Sequence, residues 1–137
     1  MFIEKSDLLK AIREEELNQI TRNDDTLVLY GIDAAVAEAK SYLTNFDTQI
    51  IFTRTGSQRN ALLVNFCSDM AIYIITATSI ASQSSDNRRL RYERAVSWLK
   101  QVSKGVINAD LPLLNIVETG KINRGAYGTP DKRENYF

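Results

Sequence analysis

Arg88-Arg89-Leu90-Arg91-Tyr92-Glu93-Arg94-Ala95-Val96-Ser97-Trp98-Leu99-Lys100-Gln101-Val102-Ser103-Lys104-Gly105 reads as one amphipathic helix with a defined stop. Tyr92, Ala95, Val96, Leu99 and Val102 recur at helical spacing, so they form a stripe that must be buried against other elements. Asp86 stands where an N-cap belongs, and Gly105 where a left-handed C′ residue belongs. Lys100 and Lys104 favour the negative end of the helix dipole. A stripe of this kind predicts helical neighbours.

Those neighbours are legible upstream. Residues 58–80 place Leu63, Phe66, Met70, Tyr73, Ile74 and Ala77 on one face and carry few charges elsewhere, as expected of the most buried helix. Residues 26–46 repeat the pattern through Ile32, Val36, Ala39, Leu43 and Phe46. Ala34, Ala35, Ala37 and Ala39 favour helix there and allow close approach. Asn23-Asp24-Asp25 breaks the chain and supplies a cap. Ser6 heads a short helix to about residue 13, bearing Leu8, Leu9 and Ile12, and Glu14-Glu15-Glu16 opens another with Leu17 and Ile20. Residues 47–60 lose the period: Ile50-Ile51-Phe52-Thr53 is β-prone and Thr55-Gly56-Ser57 marks a turn, which predicts an extended loop, arm or hairpin. Residues 81–85 read as a polar linker. Beyond Pro112 no helical period remains, and both prolines and three of the six glycines lie from there onward. The expected architecture is all-α. It is a bundle of four to five helices over 1–112 with an irregular arm, and an extended tail over 113–137.

Composition narrows the function. The chain has 137 residues, enough for one domain, with 17 basic and 17 acidic side chains and no net charge. A general electrostatic hold on nucleic acid or an anionic membrane is disfavoured. The longest uncharged run, from Met70 to Ser85, is shorter than the ~20 apolar residues of a membrane span. Met1 to Ser6 lacks the layout of a signal peptide. There is no histidine, which removes Ser-His and Cys-His pairs and histidine metal ligands. Cys67, the single cysteine, falls on a buried face and reads as an inert thiol. Glu14-Glu15-Glu16 and Asp24-Asp25 lack the spacing of a calcium loop and read as surface and caps. No catalytic, cofactor-binding or metal-binding residue is predicted, and no enzyme activity.

Two features remain. Asp69 lies within the apolar central helix, where a carboxylate requires a partner, and Arg91 is the candidate. Arg88, Arg89, Arg91 and Arg94 cluster on residues 87–104. Their ordinary reading is a solvated face with internal ion pairs. The alternative function they suggest is a helical nucleic-acid-binding or packaging accessory protein.

Several stretches, in order, carry a resemblance. Phe2-Ile3 precedes Asp7-Leu8, and Glu15-Glu16-Leu17 precedes Ile20-Thr21-Arg22. Ile32 to Leu43 follows, then Phe52, Thr55-Gly56 and Arg59-Asn60. Asp69-Met70-Ala71-Ile72-Tyr73 lies on the central helix. The strongest block is Arg91-Tyr92-Glu93-Arg94-Ala95 with Trp98-Leu99 and Gly105, followed by Asn108-Ala109-Asp110-Leu111-Pro112. Together they resemble the small proteins of Mu-type phage head gene clusters, which are similar to head-to-tail connector adaptors. The resemblance implies a virion structural protein at the head-to-tail interface, present in the host cytoplasm during assembly. It implies a homo-oligomeric ring, with roughly twelve-fold symmetry as one candidate, seated between the portal and tail-side connector proteins. Ile50, Ile51 and Phe52 on the arm and Arg133, Tyr136 and Phe137 on the tail are the expected assembly contacts.

Overall fold

The computed structural model describes residues 1–77 and 86–114. Among them are six α-helices and no strand: α1 (Lys5–Leu8), α2 (Glu14–Thr21), α3 (Asp25–Tyr42), α4 (Thr48–Thr53), α5 (Ala61–Ala77) and α6 (Asp86–Ser103). The all-α bundle expected from the periodicity is therefore observed.

α5 is the axis. Ten of its residues are buried, because α1, α2, α3 and α6 all pack around it. Burial on every side explains why its sequence is apolar nearly all round. The hydroxyls it buries satisfy themselves within the helix: Ser68 Oγ donates to the Val64 carbonyl and Thr76 Oγ1 to that of Ile72, each at 2.8 Å. α3 makes the most extensive contact with α5. At their crossing Gly31 has no side chain because there is no room for one: a Cβ there would lie 2.3 Å from Ile75 Cγ1 and 3.1 Å from the Ala71 carbonyl oxygen. Ala35, Ala39 and Ala71 continue this close approach, all fully buried.

The ends are set by local chemistry. Asp24 caps α3, its side chain accepting from the Thr26 N–H at 3.0 Å. α6 closes in a Schellman motif: the Gly105 N–H donates to the Val102 carbonyl, and the Val106 N–H reaches back to that of Gln101 at 2.9 Å. Gly105 adopts φ +79°, the left-handed conformation that its lack of a Cβ permits. Asp86, expected as a cap, is the first residue of α6. The first helix is shorter than expected, ending at Leu8, and Glu4 rather than Ser6 precedes it as the cap residue.

Residues 47–60 correct the expectation of an extended arm or hairpin. Asp47 caps the helix α4 by accepting from the Ile50 N–H at 3.1 Å, and a 3₁₀ turn follows at Gly56–Gln58. Burial overrides the β propensity of the run: Ile51 and Phe52 are 2% and 8% exposed, and Phe2 meets Phe52 edge to face with ring centroids 4.8 Å apart. After α6 the chain crosses the end of the bundle. Leu111 is buried, and Leu113 forms an isolated antiparallel bridge with Phe46. The linker expected at 81–85 and the tail from 115 to 137 lie outside the described residues.

Candidate functional site

The polar side chains that matter are those that local sequence cannot satisfy. Asp7 is nearly fully buried at α1, and Arg59 approaches it from a position 52 residues along the chain. Arg59 Nη1 donates to Asp7 Oδ2 and to the Phe2 carbonyl, both at 2.7 Å. Nη2 donates to Asp7 Oδ1 at 3.2 Å, and Nε to the Gly56 carbonyl at 2.9 Å. The Glu4 N–H adds a further bond to Asp7 Oδ2 at 2.8 Å. Burial alone would raise the Asp7 pKa. The Arg59 and Glu4 hydrogen bonds, with the charges of Arg59 and Lys10, overcome it and hold the carboxyl below its ordinary value. One guanidinium thus joins the N-terminal segment, α1 and the 3₁₀ turn. Beside it Asn60 Oδ1 accepts from the Leu63 N–H and caps α5, while its amide donates to the Asp110 carbonyl.

Asp69 lies one face around α5. Arg91 Nε stands 3.6 Å from Asp69 Oδ1, an ion-pair distance beyond hydrogen-bond reach. The two ends are unequal: the Asp69 side chain is 5% exposed and that of Arg91 42%. Oδ1 is buried without a hydrogen-bond partner among the described residues. Desolvation raises the Asp69 pKa, against the opposing pull of Arg91 and Arg94.

The arginines of α6 serve the fold in ways that charge counting does not reveal. Arg88 pairs with Glu16 of α2. Arg94 lies over the Phe66 ring, 5.4 Å from its centroid, and Trp98 packs on the same ring. Tyr92 stacks on Tyr73 at 4.6 Å and donates to Glu38 Oε2 at 2.8 Å. Its burial and this carboxylate push the phenol up to about 12.

A polar groove runs between these clusters. A cleft of about 320 Å³ is lined by Asp7, Lys10, Ser57, Arg59, Asn65 and Arg91, among others. A second, of about 200 Å³, is lined by Glu16, Asp69, Asn87, Arg88 and Arg91. Arg91 borders both.

The expected assembly contacts divide. Ile50 is 45% exposed, but Ile51 and Phe52 belong to the core and are not free to contact a neighbour, which corrects that assignment. Arg133, Tyr136 and Phe137 lie outside the described residues. Cys67 is buried, and desolvation pushes its thiol up to about 12. Among the described residues no three His, Cys, Asp or Glu side chains gather as a metal site, and no helix is long and apolar enough to cross a membrane. The Asp7–Arg59 clamp was missed by sequence reasoning. Its only signal was that Asp7-Leu8, Thr55-Gly56 and Arg59-Asn60 all belong to the stretches carrying the resemblance. Those stretches converge here: Arg59 joins Phe2, Asp7 and Gly56, and the adjacent Asn60 bonds separately to Asp110.

Fold and site together define a small all-α bundle protein stapled by long-range polar contacts and bearing an open polar groove. The chain belongs to the family described as Bacteriophage Mu, Gp36, which matches residues 2–123. No curated protein and no solved structure shows significant similarity to it.

Proposed function

We propose that this protein is a structural component of the phage particle, a head-to-tail adaptor that assembles as a ring at the portal vertex. The observation that carries the reading is membership of the Mu family across nearly the whole chain. The stapled bundle supports it, since a ring subunit needs a stiff body whose surface is free for neighbours. Exposed apolar side chains are available for such contacts just after α6: Val106, Leu113 and Leu114 are 72%, 69% and 49% exposed. The portal and a tail-side connector are the partners of this reading, and catalysis has no part in it. Immunogold labelling and mass spectrometry of purified particles test it. Labelling at the head-to-tail junction, with copy number in proportion to the portal, is the expected result. Absence from particles, or label spread over the head, would overturn it.

A further inference from the structure

We propose that the cleft between α1, the 3₁₀ turn and α6 is a binding site for carboxylate side chains of an acidic protein segment, held by Lys10 and Arg91. Four groups lining this cleft can donate to an anion. Lys10 is 78% exposed, and its nearest carboxylate, Asp7 at 3.9 Å, is already taken by Arg59 and the Glu4 N–H. Arg91 stands 3.6 Å from Asp69 at its nearest approach, through Nε, and its side chain is 42% exposed, so its guanidinium has donors to offer a carboxylate in the cleft. The Asn65 amide and the Ser57 hydroxyl line the same cleft. Within it the charge of Asp7 is matched by Arg59 and that of Arg91 is shared with the buried Asp69, which leaves the exposed Lys10 as the excess positive charge and Arg91 as a half-exposed donor beside the cleft.

Protein carboxylates suit this site better than duplex phosphates. A duplex needs a row of free cations along an open face, whereas Arg88 is paired with Glu16 and Arg94 lies over Phe66. The choice of a protein ligand rests on the assembly reading above; the donor geometry does not.

The test is titration of the full chain with a glutamate octapeptide, inorganic phosphate and duplex DNA at physiological salt, followed by NMR. The peptide should shift the signals of Ser57, Asn65 and the Arg91 Nε. Lys10→Glu and Asn65→Asp, each checked for an unchanged fold, should each weaken peptide binding by about tenfold or more. An unshifted cleft, or unchanged affinity in both folded variants, would overturn the proposal, as would DNA binding there more tightly than the peptide. Particle incorporation of Lys10→Glu separates the two readings: peptide binding lost with normal incorporation upholds the cleft and counts against its use in assembly.

Discussion

Asp69 and Arg91 meet at 3.6 Å with one partner in the core and the other half in solvent, so their removal has unequal consequences. Arg91→Gln strands a buried carboxylate, whereas Asp69→Asn leaves an arginine that water can solvate. Because the pair is partly exposed, Arg91→Gln should cost about 1–2 kcal/mol, less than the roughly 3–5 kcal/mol of a fully buried pair. Asp69→Asn should stay within about 1 kcal/mol of the parent at neutral pH. The sign with pH follows from the raised pKa of Asp69. Between its unfolded value, about 3.9, and its raised folded value, the native state binds more protons, so this group's contribution to stability falls as pH rises. The Arg91→Gln deficit should accordingly shrink as pH falls through the raised value. Urea unfolding of both variants across pH checks this, and a pH-independent deficit would show that the ion pair is not its source. Asp7 acts in the opposite sense. Its depressed pKa gives stability that is present above the unfolded value and lost as pH falls through the folded one.

At the scale of elements, the crossing of α3 and α5 is the tightest constraint. Gly31→Ala would place a methyl against Ile75 and the Ala71 carbonyl, and backbone cannot yield as a side-chain tip can. Overpacking of this kind costs about 1–3 kcal/mol, although alanine is the better helix former. If the clash with Ile75 is the cause, Gly31→Ala with Ile75→Ala should cost less than the two single changes summed. Denaturation midpoints of the cycle decide it, and a neutral Gly31→Ala would mean that the helices separate freely. α4 shows tertiary context overriding propensity. Its Ile50-Ile51-Phe52-Thr53 run is β-prone, yet the Asp47 cap and the core pockets for Ile51 and Phe52 make it a helix.

For the molecule as a whole, the described backbone is tied to the bundle as far as residue 114. Leu111 is buried, and the last described backbone bonds join 112 and 114 to 47 and 45. A chain ending at Leu114 should therefore melt within a few degrees of the full-length protein, about 1 kcal/mol or less of stability, yet be incorporated poorly into particles. Thermal unfolding and particle composition test the two halves separately. Cooperative unfolding lost on truncation would show that residues 115–137 belong to the core.

The periodicity of apolar residues was enough to determine the all-α class, the stripe of α6 through Ala95, Leu99 and Val102, and the stop at Gly105. These depend on spacing along one helix and on local φ preference, which a short window contains. On α5 the expected face holds at Leu63, Phe66 and Met70, but Ala77 is exposed and Ile72, Ile75 and Thr76 are buried in its place. Residues 91 and 69 were legible as partners because a charge inside an apolar helix needs one. The stretches spread along the chain carried the resemblance to the Mu family. Only the tertiary structure decided that Thr48–Thr53 becomes a helix with Ile51 and Phe52 in the core. It also decided that Arg59 binds Asp7, that Arg94 rests on Phe66, and that Lys10 and Arg91 line one cleft. Each of these joins residues far apart in sequence, and their pairing is set by how the helices pack around α5 rather than by any local preference.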